Sequence, residues 1–115
     1  MIYFFIGVLC VAAVLFAAVT VYDSNRFVTV EYRIRCRNLK RKYRFVMLSD
    51  LHNKRYGEHN EKLLAAIDAQ KPESILIAGD MLTSETPERF GPALELTEIL
   101  AEKYPVYYAN GNHEY

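Results

Sequence analysis

Hydrophobic and polar positions follow three successive patterns along the chain. From Ile2 to Tyr22 the apolar residues are nearly continuous, 21 positions with no charge among them. A helix rising about 1.5 Å per residue over that length reaches roughly 30 Å, enough to cross a hydrocarbon core. Residues 1–22 are therefore expected to form a transmembrane anchor. From Val28 to Arg37 the pattern becomes strict alternation, with Val28, Val30, Tyr32, Ile34 and Cys36 on one face and Thr29, Glu31, Arg33, Arg35 and Arg37 on the other. This predicts a half-buried antiparallel strand, turned back toward Tyr43 by Asn38-Leu39-Lys40-Arg41.

Beyond residue 43 short β-prone runs alternate with helical periods. Arg44–Leu48, Ile75–Ala78 and Val106–Ala109 read as strands. Between the first two, Asn60 is a candidate cap for a helix through Gln70 with Leu63, Leu64 and Ile67 as its apolar stripe. Between the last two, Met81 to Gly91 reads as a loop, Pro92 as a first-turn residue, and Leu96, Ile99 and Leu100 as the buried face before Tyr104-Pro105 ends the helix. The predicted fold class is α/β, a βαβαβ unit of mainly parallel strands behind an N-terminal transmembrane helix. Its expected divisions are the anchor (residues 1–22), a basic juxtamembrane strand and turn (23–42) and an α/β domain (43–115).

Each strand stops at residues that carry chemistry: Ser49-Asp50-Leu51-His52, Gly79-Asp80 and Gly111-Asn112-His113-Glu114. Asp80 follows Asp50 by 30 residues and Asn112 follows Asp80 by 32, each interval fitting one strand, crossover helix and parallel strand. Right-handed crossovers would bring all three stops to one carboxyl edge. Asp50 and His52, two residues apart, are expected to share one side of an extended backbone, with Leu51 turned into the packing.

Charge changes the picture in two places. Asp23 to Arg44 carries eight Lys and Arg against two Asp and Glu, which predicts a single-pass cell-membrane protein whose soluble domain stays cytoplasmic. The basic residues are read first as the exposed face of the strand and second as a contact with anionic lipid. A cleaved signal peptide is the competing reading of residues 1–22, but no Lys or Arg precedes the apolar run and no small-x-small site precedes Asp23. Phe45 to Tyr115 holds six Lys and Arg against twelve Asp and Glu, a balance that argues against nucleic-acid partners and suits cations. Cys10 in the span and Cys36 on the strand are read as packing residues. Lys54 and Arg55 are read first as surface-loop residues and second as contacts for a substrate phosphate, and His59 as solvated.

The donors suit a two-metal centre. Asp50 and His52 would hold one ion, Asp80 would bridge, and Asn112 would reach the second, so that a water could be activated for in-line attack on phosphorus. Oxygen and imidazole ligands favour Mn, Fe or Zn. His113, with Glu114 holding its ring, is the candidate proton donor to the leaving oxygen; a role as a further metal ligand is the alternative.

These three blocks resemble the first three signatures of the calcineurin-like metallophosphoesterase superfamily, and the anchor makes the chain similar to its membrane-anchored bacterial members. The resemblance covers about Phe27 to Tyr115. It implies a metal-dependent phosphoester hydrolase in which Asp50 and His52 bind the first metal, Asp80 bridges, Asn112 binds the second, and His113 assists without ligating. Glu114 stands where many members have Asp. The family completes its site with a later histidine and a Gly-His-x-His block, whereas this chain's histidines are His52, His59 and His113. The expectation is thus an amino-terminal fragment, inactive or weakly active, with a lipid bilayer and a phosphoester as its partners. Two other classes are weighed: a non-catalytic membrane-anchored interaction module or pseudoenzyme remnant, and a nucleotide or flavin domain, for which no glycine-rich phosphate loop follows any strand.

Overall fold

A computed structural model of the chain describes residues 1–82 and 90–112. It opens with helix α1, Ile2–Ser24, none of whose residues is buried. At about 1.5 Å per residue its 23 residues extend roughly 35 Å, and α1 is long and apolar enough to cross a membrane. Asn25 ends it by folding back, its amide donating to the Val21 carbonyl at 2.8 Å.

The soluble part is a three-stranded parallel sheet in the order β1 (Phe45–Leu48), β2 (Ser74–Ile77), β3 (Val106–Tyr108). Helix α2 (Glu61–Gln70) connects β1 to β2, and α3 (Phe90–Lys103) connects β2 to β3. Val46 pairs with Ile75 and Ile75 with Val106, so one row of apolar side chains crosses the sheet. When consecutive right-handed crossovers advance in one direction, both helices fall on the same face. Ile75, Ile77, Leu96 and Leu100, all at 2 % exposure or less, form the centre of the core there, with Leu63 and Ile67 from α2 beside them. The pleat turns Phe45, Met47 and Tyr107 to the other face, where they stand 54, 67 and 63 % exposed.

The fold class expected from the sequence is the one observed. The helices start and stop close to their predicted limits, with Pro92 in the first turn of α3 and Pro105 just beyond its end. Asn60 caps α2 by position but not by its side chain: it sits at φ 60°, fully buried, and its Oδ1 accepts from the Tyr56 amide at 2.9 Å, closing the preceding loop. At the far end of α2, Asp68 receives the Tyr104 hydroxyl at 2.6 Å and Lys103 Nζ at 2.9 Å, joining the end of α2 to the end of α3. Both donors hold the Asp68 carboxyl below its ordinary pKa, the Tyr104 hydrogen bond most of all.

One expectation is corrected. Val28 to Arg37 carries no strand, and Val28, Val30, Tyr32 and Ile34 stand 61 to 91 % exposed. Alternation specifies which side a strand would bury, but a strand exists only where a neighbour completes its hydrogen-bond ladder. β1 pairs with β2, and the segment runs past without a partner strand. The turn that follows does form, at Arg37 and Asn38.

Candidate active site

The rim at the carboxyl end of the sheet is built by extending strand pairing into the loops. Beyond Leu48, the Asp50 amide donates to the Gly79 carbonyl at 3.3 Å, His52 to Asp80 at 3.1 Å and Asn53 to Met81 at 2.8 Å. The backbone there is not extended. Asp50, His52, Asn53 and Asp80 all lie in the left-handed region, with φ of 57°, 48°, 57° and 53°. Residues with Cβ adopt that region at a cost of roughly 1–2 kcal/mol, and in folded proteins such positions concentrate at functional sites.

Asp50 and His52 do come together, Nε2 to Oδ1 at 3.7 Å, by a left-handed turn and not by strand alternation as expected. Leu51 between them is buried, as predicted. Ser49 Oγ donates to Asp50 Oδ2 at 2.6 Å, and His52 Nδ1 faces the Leu82 carbonyl at 3.4 Å. Each ligand candidate is thus oriented by a polar neighbour, as metal-binding side chains commonly are.

Asp80 is positioned by two glycines. A Cβ on Gly79 would lie 2.5 Å from Gly111 Cα, and one on Gly111 would lie 2.7 Å from Asp80 Cγ and closer still to Asp80 N and Oδ1. Only bare backbone at both positions lets the β2 and β3 loops meet with the carboxylate between them. The Asn112 amide then sits 2.9 and 3.0 Å from the two Asp80 oxygens. Turned nitrogen-first it donates to both; turned oxygen-first it sets acceptor against acceptor, an arrangement that a cation shared between them would stabilise. Asn53 Oδ1, one residue past His52, is buried with no hydrogen-bond donor among the described residues. Hard oxygen donors and one imidazole in these positions fit divalent cations.

The four ligand candidates meet as two pairs, Asp50 with His52 and Asp80 with Asn112. Among the described residues no group of three or more His, Cys, Asp or Glu is gathered closely enough to hold an ion. Asp50 accepts from Ser49 and Asp80 lies against the Asn112 amide, so among the described residues each carboxylate is held within its own pair. The expected catalytic pair, His113 and Glu114, lies outside the described residues.

A second polar cluster escaped the sequence reading. Arg55 Nη2 lies 3.1 Å from Glu95 Oε2, and His59 Nδ1 bonds to Oε1 of the same carboxylate. His59 is therefore not simply solvated: Glu95 raises its pKa by hydrogen bond and charge, and His59 in turn lowers that of Glu95. Sequence spacing gave no signal, because the contact spans 36 residues and joins a loop to a helix face.

Comparison with known proteins agrees with this architecture. The calcineurin-like phosphoesterase family matches residues 43–115. An uncharacterized metallophosphoesterase of Campylobacter jejuni is 31% identical over 80 residues, which cover 68% of this chain and 21% of that protein. The chain thus spans about a fifth of the relative's length. No solved structure matches.

Proposed function

Because the chain belongs to the calcineurin-like phosphoesterase family, we propose that its rim is the amino-terminal part of a two-metal phosphoester-hydrolysing site, carried on a membrane anchor formed by α1. The observation that carries this reading is the seat of Asp80, whose carboxylate lies against Gly111 with the Asn112 amide 2.9 and 3.0 Å away. Two divalent cations, of Mn, Fe or Zn, would supply Lewis-acid activation of water and of the phosphoryl group.

The chain's own residues have separate tasks in this reading. Asp50 and His52 hold the first position, with Ser49 fixing the carboxylate. Asp80 would serve both positions, and Asn112 would hold the second through its amide oxygen. His113 would donate a proton to the leaving oxygen, and Glu114 would hold its ring.

A membrane-anchored module without turnover is the second reading, favoured by the division of the candidate ligands into two pairs. Calorimetric titration with Mn²⁺ separates the two. The metal-site reading expects saturable binding that Asp80→Asn weakens at least tenfold, about 1.4 kcal/mol, with any weak hydrolysis of bis-p-nitrophenyl phosphate lost on the same substitution. No binding by the wild-type chain, with the fold intact, favours the module and defeats the metal site.

A further inference from the structure

The join between α1 and the soluble part fixes which edge of the sheet meets the membrane. Between Ser24 and Phe45, Phe27 is the one residue that is not exposed. Its ring packs edge-on against Tyr56, 5.0 Å between centroids at 81°, and Tyr56 lies in the loop after β1, four residues past His52. Three residues beyond the end of α1, at most about 10 Å of extended chain, the protein therefore touches the carboxyl rim. Only later does the segment reach the amino edge, where Arg41 pairs with Glu73 at 2.7 Å and Arg44 donates to the Gln70 carbonyl at 2.8 Å.

The contact has the composition of a water–lipid boundary. Arg26 lies 5.5 Å from the Tyr22 ring and Lys54 lies 6.0 Å from the Tyr56 ring, so two cations and three aromatic rings surround the junction. Aromatic residues concentrate at headgroup depth, and basic ones there are drawn to lipid phosphates. The longest dimension of the molecule is 70 Å, about twice the roughly 35 Å length of α1. The helix therefore projects away from the sheet, leaving the rim beside its exit point. The exposed Arg33, Arg35 and Arg37 follow Phe27 on the way toward the opposite edge, so the basic stripe is not the main lipid contact.

We propose that the Phe27–Tyr56 contact seats the carboxyl rim on the bilayer surface, so that Asp50, His52, Asp80 and Asn112 meet a phosphoester carried on a lipid at headgroup depth. This rests on the readings of α1 as an anchor and of the rim as a phosphoester site. The chain has no tryptophan, so single reporters can be placed. Full-length Tyr56→Trp (rim) and Tyr43→Trp (amino edge) are reconstituted in phosphatidylcholine vesicles containing brominated lipid, with Phe27→Trp as the rim reporter should Tyr56→Trp not fold. The rim tryptophan should be quenched at least twofold and the amino-edge tryptophan left unquenched; equal quenching, or stronger quenching at position 43, overturns the seating. A chain that does not float with vesicles overturns it together with the anchor. In zwitterionic micelles with Zn²⁺, dodecyl phosphate should shift the emission of the rim reporter at a concentration at least tenfold below that needed for ethyl phosphate, and Asp80→Asn should remove the response. Equal potency of the two phosphates overturns the lipid-substrate assignment. Quenching at the rim without any Zn²⁺ binding upholds the seating while the metal reading alone falls.

Discussion

Gly111→Ala tests the rim by one methyl group. Gly111 is not among the glycines with positive φ, so alanine meets no backbone penalty there and the effect is steric. The added Cβ would stand 2.7 Å from Asp80 Cγ, closer to Asp80 N and Oδ1, where ordinary carbon contacts need at least about 3.4 Å. Because one of the obstructing atoms is backbone, the loops must separate or Asp80 must swing out. Overpacking of this kind costs about 1–3 kcal/mol. In a domain of under 100 residues each kcal/mol moves Tm by roughly 4–8 °C, so a fall of about 5–20 °C is expected. Tyr56 and Tyr104, packed against the core, give a near-ultraviolet circular dichroism signal that follows the packed domain in detergent micelles, whereas α1 dominates the far-ultraviolet signal. Gly91→Ala is the control, since nothing lies within 4 Å of the added Cβ and the position is helical; it should be neutral or stabilising within about 1 kcal/mol. A Gly111→Ala chain melting within about 1 °C of wild type, with Mn²⁺ binding unchanged, would refute the close approach of the two loops on which the placement of Asp80 depends.

Three further outcomes follow from the same packing. Leu96→Ala and Leu100→Ala, each removing a side chain with no exposed surface, should cost about 2–5 kcal/mol in urea unfolding, and Leu94→Ala, 54 % exposed on the same helix, under about 1 kcal/mol. The His59–Glu95 link should make stability pH-dependent: the raised His59 pKa contributes fully below histidine's ordinary 6.5 and is lost as pH climbs through the raised value. The lowered Glu95 pKa contributes above 4.5 and is lost as pH falls through the lowered value. The Tm difference between wild type and His59→Gln should thus be greatest between pH 4.5 and 6.5 and vanish near pH 9; a difference constant from pH 5 to 9 would exclude the link. Asp68→Ala should lower Tm modestly by releasing Lys103 and Tyr104 together, and Tyr104→Phe should reproduce most of that loss if the 2.6 Å hydrogen bond is its source.

The parts legible in the sequence are those written in local periodicity. Continuous apolarity set α1, the stripes Leu63–Ile67 and Leu96–Leu100 set the covering helices, and near-equal spacing of Asp50, Asp80 and Asn112 put all three beyond the ends of parallel strands. Where a partner strand was assumed, periodicity misled: the alternation of Val28 to Arg37 specifies a face, yet among the described residues no strand lies beside it to complete the hydrogen bonds. The same limit hid Glu95, whose salt links to Arg55 and His59 join residues far apart in the chain.

By itself the sequence determined which residue types stand at each strand end and that the strands run parallel, because side-chain period and connection length are properties of a single segment. Only the tertiary structure decided how those residues meet. It placed Asp50 and His52 in a left-handed turn, held Asp80 between two loops that only glycines allow to touch, and brought Phe27 to the rim beside them. Each of these depends on the distance between separate backbones, which steric exclusion sets only once the chain is packed.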